Sequence, residues 1–213
     1  MNRIVKIITK LFCFTFVAAL AFSSCSLNSK PAVSCSDKRV YNFPLTYSPT
    51  EQLKPNWTVM LGEQKLYLKP VIDARNTESI NVGKNVEKNV PYLICTSKNN
   101  AADFVSQAFQ TIFSGLGINL VDQIEEADLI VQITLKDFWV VEGNDYLAKL
   151  NTIVDVTDQS KKVLWRGPIF EGSKDWGRSL TAEFYNQSLS NATLKMVQNL
   201  INNPAFKEVI GAK

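Results

Sequence analysis

Leu129-Ile130-Val131-Gln132-Ile133-Thr134-Leu135-Lys136 opens the stretch that decides the fold. Leu129, Val131, Ile133 and Leu135 alternate with Ile130, Gln132, Thr134 and Lys136, and the run continues to Val141. Period-two alternation sends successive side chains to opposite faces, so the stretch reads as a long, half-exposed strand. Gly143-Asn144-Asp145 is a turn, after which Tyr146, Ala148, Leu150, Thr152, Val154 and Val156 oppose Lys149, Asn151 and Asp155. A third run, residues 163–171, follows a polar connection containing Asp158, Ser160, Lys161 and Lys162. Three consecutive strands joined by short polar turns make a meander. Pro168 cannot donate to a ladder and marks a bulge or an edge in the third strand.

Upstream of the meander, residues 65–75 read as a strand with Leu66, Leu68, Pro70, Ile72 and Ala74 on one face. A polar loop follows over residues 76–89, long enough to be either functional or mobile, and residues 92–96 form a second, brief strand. A helix then begins at Asn99 or Asn100, with Asp103 near the positive end of its dipole and a stripe of Phe104, Val105, Ala108, Phe109, Ile112, Phe113 and Leu116. Gly115 and Gly117 end it. Downstream, Ser179 is the expected cap of a long helix to about Asn202, stopped by Asn203-Pro204. The order predicts an α+β fold, a two-layer sandwich of a mostly antiparallel sheet with two helices packed on one face. The domain is placed at residues 64–213.

The N-terminus has a different character. Arg3, Lys6 and Lys10 precede an apolar run from Leu11 to Phe22, which as a helix is roughly 18 Å long, against a hydrocarbon core of roughly 30 Å. A basic start, a short apolar run and small residues before a possible cleavage point form a secretion signal over residues 1–24. Ala21-Phe22-Ser23-Ser24-Cys25 resembles the lipobox of bacterial lipoproteins, departing from it at Phe22, where leucine is usual. The resemblance implies an acylated Cys25 held to the membrane by its acyl chains, and Ser26 resembles the pattern of lipoproteins sent to the periplasmic face of the outer membrane. Several acyl chains anchor firmly where one gives only marginal attachment. Residues 25–63 are the expected anchor and flexible tether, in which Tyr41, Phe43, Leu45 and Tyr47 alternate either as one short edge strand or by chance within a disordered linker.

Charge narrows the possible partners. The chain has 23 Lys and Arg against 20 Asp and Glu, and the first 24 residues hold three basic and no acidic ones, which leaves 20 against 20 afterwards. A neutral body lacks the concentrated basic face that phosphate backbones require, so nucleic acid and broad anionic-surface partners are disfavoured. The sequence contains no histidine, which excludes Ser-His and Cys-His nucleophilic pairs and the commonest metal ligand. No cofactor motif is present; neither GxGxxG nor a P-loop occurs. Cys35 and Cys95, in an oxidising compartment, either close a disulfide or remain separate thiols.

Pro70-x-x-Asp73-x-Arg75, the helix closing on Gly117, Ala127-Asp128 leading the long strand, the meander and a last helix ending in Asn202-Asn203-Pro204 together resemble the YajG-like family of uncharacterised bacterial lipoproteins. The resemblance implies a non-catalytic accessory or scaffold protein of the envelope with an envelope protein partner. The alternative is an auxiliary of an envelope transport system that binds a lipid or small apolar ligand between sheet and helices. Asp73 and Arg75 share one strand face and either pair with each other or hold a polar ligand group. Trp176 and Arg178, near the last helix, are either a contact patch or an aromatic closing the core edge. Asp128, Asp137, Glu142 and Asp145 read as solvated carboxylates at strand ends. Asn186-Gln187-Ser188 and Asn191-Ala192-Thr193 match a glycosylation acceptor pattern, read as coincidence on a helix.

Overall fold

The computed structural model describes residues 39–53, 64–87 and 91–211, all within one compact unit, Ala32–Lys213. The secretion signal, the lipobox with Cys25, and Cys35 lie outside the described residues.

The long strand read from the sequence is β6 (Leu129–Glu142), and the meander continues through β7 (Asp145–Asp158) and β8 (Val163–Trp176). β6 and β7 pair antiparallel from Leu129↔Asp158 to Glu142↔Tyr146, with a bulge between Leu135 and Asp137. On its other side β6 receives three short parallel strands end to end. These are β2 (Leu66–Leu68) beside Leu129–Val131, β3 (Ile72–Asp73) beside Thr134 and Leu135, and β4 (Asn81–Asn85) beside Val140–Glu142. β5 (Tyr92–Thr96) pairs antiparallel with β4, and β1 (Val40–Phe43) lies parallel on β5. The eight-stranded sheet therefore runs β1-β5-β4-β6-β7-β8, with β2 and β3 also on β6. Its residues are mostly antiparallel, as expected, because the meander is so long.

Two expectations about the N-terminal half are corrected. The strand at 65–75 is broken by Pro70 into two pieces whose phase does not carry over. Leu66 is buried, but Ile72 is 49% exposed and shares a face with Thr134. The expected loop at 76–89 contains β4, which inserts between β5 and β6. A Cβ on Gly83 would lie 2.3 Å from the Val140 carbonyl oxygen, so glycine is what permits the approach.

The helices cover one face of the sheet. α1 (Ala101–Gly115) carries a capping box in which the Asp103 N–H donates to Asn100 Oδ1 at 2.9 Å, and Gly117, at φ +76°, turns the chain out of it. α2 (Ala182–Asn202) starts from Thr181 rather than Ser179, because the Ser179 N–H is committed to the Tyr146 hydroxyl at 3.2 Å. The Asn203-Pro204 stop also starts a third, short helix, α3 (Pro204–Val209), with the Asn203 side chain as its cap. Its Phe206 packs edge-on against Trp165 of β8 at 5.3 Å.

The tether boundary at residue 63 is corrected too. Of the two readings of residues 41–47, the edge strand forms, and the chain beyond it lies on α2. The Thr46 N–H donates to Asn186 Oδ1 at 2.9 Å, Ser48 N–H to Ser190 Oγ at 2.9 Å and Thr50 N–H to Asn191 Oδ1 at 3.0 Å. Leu45 is clamped by Asn99, which both accepts from its N–H and donates to its carbonyl. These contacts account for a helix that buries Asn186, Ser190 and Asn191. Their amides and hydroxyls satisfy backbone that has no strand partner, which buried peptide groups require. The two acceptor-like patterns are structural ladders.

Candidate functional site

Asp73 and Arg75 sit where β3 leaves β6. Arg75 Nε donates to Asp73 Oδ1 at 2.9 Å, and one terminal nitrogen donates to Asp73 Oδ2 at 2.8 Å and the Ser79 carbonyl at 2.7 Å. The other reaches the carbonyls of Asn81 at 2.8 Å and Phe138 at 3.2 Å. All five guanidinium N–H groups are thus occupied within the chain, and the Arg75 side chain is only 2% exposed. Its plane lies 5.9 Å above the Phe138 ring. This arginine ties β3, the 76–80 turn, β4 and β6 together and has no donor left for a ligand. Burial pushes the Asp73 carboxyl up, but the Arg75 hydrogen bonds and charge outweigh it and hold the group below the usual aspartate range.

Glu142 is not a solvated strand end. It is fully buried at the close of β6, where Oε1 accepts from the Tyr146 hydroxyl at 3.0 Å and the Leu180 N–H at 2.9 Å, and Oε2 accepts from the Tyr185 hydroxyl. Burial first, and then the adjacent Glu142, raise the Tyr185 phenol. Tyr146 is also raised, again chiefly by burial. Both therefore stay neutral donors, and their rings meet edge-on at 5.0 Å. The cluster fixes the crossover into α2, where Leu180 adopts φ +46°, a conformation unfavourable for a branched side chain that its bond to Glu142 holds in place. The spacing Glu142-x-x-x-Tyr146 spans a hairpin turn, and alternation alone gave no sign that the carboxyl points inward.

Trp176 and Arg178 both lie beside the β6–β7 turn, Trp176 opposite Asp145 and Arg178 on Asn144. Trp176 is 86% exposed, so it does not close the core edge. Arg178 hydrogen-bonds Asn144 and lies 3.7 Å from Glu87. Cys95, fully buried in β5, is disulfide-bonded. Asn42 lies opposite it in the β1–β5 register, seven residues after Cys35, a span that about 25 Å of extended chain covers. Among the described residues no group of three or more Asp, Glu, Cys or His side chains is placed to hold a metal. No described helix is long and apolar enough to cross a membrane.

The sheet face turned away from the helices, which the two-layer reading leaves either polar or covered by a partner, is partly apolar. Its side chains align in rows across the strands: Ile72, Thr134, Ile153 and Pro168 in one; Asp137, Asn151 and Phe170 in the next; then Trp139, Lys149 and Gly172; then Lys84, Val141, Leu147 and Lys174. Phe170 is 62% exposed and Leu147 43%. A shallow, open depression of about 710 Å³ lies over Gly172 between Trp139, Leu147 and Phe170.

No protein-family model matches the sequence, and comparison with curated proteins gives no match either. The fold has solved counterparts. A protein of Xanthomonas campestris described under the family DUF330 is 11% identical, with 81% of this chain and 96% of that one covered, at a TM-score of 0.54. A minor lipoprotein of Acinetobacter baumannii (10% identity, 70% and 93% covered, TM-score 0.33) and a lipoprotein of Neisseria meningitidis (12% identity, 64% and 99% covered, TM-score 0.29) are more distant. At 11% identity and a TM-score of 0.54, the likeness to the Xanthomonas protein shows a shared fold.

Three outcomes follow from this geometry. Replacing Glu142 with Ala leaves two phenols and one amide without an acceptor, and should lower unfolding free energy by about 3 kcal/mol in urea titrations. Because the folded Asp73 value is depressed, the stability it contributes is present above its unfolded value near pH 4 and lost as the pH falls through the folded one. Asp73→Asn should therefore lower the urea midpoint at pH 6, with the gap to the parent chain narrowing progressively as the pH falls below the ordinary aspartate range. A thiol count on unreduced, denatured protein lacking residues 1–24 and carrying Cys25→Ser should find neither Cys35 nor Cys95 free; two free thiols would exclude their pairing.

Proposed function

We propose that this chain is a lipid-anchored, non-catalytic accessory lipoprotein of the bacterial cell envelope, of the YajG-like kind, held through Cys25 at the periplasmic face of the outer membrane. The observation that carries this is the exposed aromatic and aliphatic sheet face of the compact unit that follows Cys25 in sequence. Exposed apolar surface of this extent is kept for contact rather than for stability. The Glu142 cluster and the Asp73–Arg75 pair support the same reading, since both are saturated by internal partners and hold the framework rigid behind that face.

The transport-auxiliary alternative places a lipid between sheet and helices. At its centre that space is filled: Phe104 meets Phe138 edge-on at 5.3 Å and Phe43 stacks on Tyr185 at 5.5 Å, with all four rings buried, and the depression between β2 and α1 is open and lined largely by polar residues. The outer sheet face is the better candidate for contact.

With Cys25→Ala, the protein should leave the membrane fraction and appear in the periplasmic or unprocessed pool. Retention in washed membranes at the parent level would refute acyl anchoring.

A further inference from the structure

The outer face of β6–β7–β8 has a charge pattern that its apolar rows do not explain. Two of its ion pairs are internally neutral: Arg166 lies on Asp155, and Lys174 on Asp145 at 3.1 Å. Three exposed lysines remain without an acidic partner among the described residues: Lys84 in the row of Leu147, Lys149 opposite Trp139, and Lys136 at the β6 bulge. The single unpaired acid on the face is Asp137, which accepts from the Asn151 amide at 3.3 Å. The face therefore presents Trp176, Phe170, Trp139 and Leu147 among uncompensated positive charge, although the chain after residue 24 is neutral overall.

We infer that this sheet face seats on an anionic lipid bilayer surface. Tryptophan and phenylalanine sit well at headgroup depth, where an apolar ring meets a wet boundary, and lysines pass their stems along apolar surface to reach phosphates. Strands of 14 residues extend about 46 Å and three of them pave a broad, shallow surface, suited to a plane rather than to a small molecule. A second copy of the chain is the poorer occupant. Two such faces brought together would enclose Lys84, Lys136 and Lys149 of both copies in one interface, a like-charge excess that disfavours association. Anionic headgroups neutralise the same lysines. The proposal rests on the anchored reading in one respect: the 14 residues from Cys25 to Arg39 span at most about 50 Å, so a tethered domain meets the bilayer at high effective concentration and a weak surface suffices.

The test uses residues 25–213 with Cys25→Ser, which carries no acyl chain and retains every described core residue, since the core begins at Phe43. The probes are vesicles of phosphatidylglycerol with phosphatidylethanolamine, and vesicles of phosphatidylcholine alone. Co-sedimentation should occur with the first at moderate salt, fall at high salt and be weak with the second. Replacing Lys84, Lys136 and Lys149 together with Gln should weaken binding tenfold or more, at about one order of magnitude or less per lysine. Brominated lipid should quench tryptophan emission, and Trp176→Phe should remove most of that quenching; unchanged circular dichroism keeps both variants interpretable. No sedimentation with anionic vesicles, equal binding to both compositions, or triple-lysine binding equal to the parent would overturn the proposal. So would a dimer in sedimentation velocity that Phe170→Glu dissociates, which would assign the face to a second copy. Because the probe chain is unacylated, a negative vesicle result leaves the Cys25 fractionation experiment unaffected, and the reverse also holds.

Discussion

Everything else in the fold depends on β6 being paired along almost its whole length on one side and at three separate segments on the other. On one side a single long partner, β7, sets the register, and on the other three short strands queue along the same edge. A strand paired in this way leaves few free backbone groups to satisfy, which is the condition for burying it centrally in a sheet. The short strands need no strong pattern of their own. Each needs only to reach a segment of a template that already exists, and turns such as the one held by Arg75 deliver them there.

This explains which parts of the architecture were legible in the sequence. The meander, α1 and the span of α2 carry their own periodicity, so alternation and capping residues located them. β2, β3 and β4 do not. Their two to five residues are specified by β6 and by Arg75, Asn81 and Gly83, contacts distributed over the fold and invisible to a local window. Pro70 hid the same point from the other direction: a continuous alternation was read across a residue at which the phase is reset. At the site level, residue type pointed to Asp73 and Arg75, but only the geometry reveals that every donor of Arg75 is occupied, by the Asp73 carboxylate and three backbone carbonyls. Glu142 was missed because a carboxyl beside a turn ordinarily faces water, and what turns it inward is the pair of phenols contributed by β7 and α2. Trp176 and Arg178 both border the β6–β7 turn, and they differ in that the arginine is bonded to Asn144 and faces Glu87 whereas the indole is open to solvent.

The sheet has two unlike faces and two unlike edges. The inner face is closed by aromatic packing with α1 and α2 and leaves little room for a ligand. The outer face combines apolar rows with unpaired lysines. Of the edges, β1 is short, whereas β8 runs for 14 residues beyond β7. Pro168 in mid-strand and the exposed Arg166 and Lys174 give that edge the features by which sheets discourage pairing with stray strands. The molecule thus keeps its edge guarded and its face open, and contact through side chains is favoured over strand addition.

The bonds between residues 46–50 and α2 bear on when the domain can form. Their donors and acceptors are 140 to 142 positions apart, so a stretch near the start of the domain is completed by the last long helix. Contacts of such separation come late and slow the search for the native state. β1 can find β5 early, but residues 46–50 cannot dock until α2 has been made. The two ends of the domain therefore close together, as its final step.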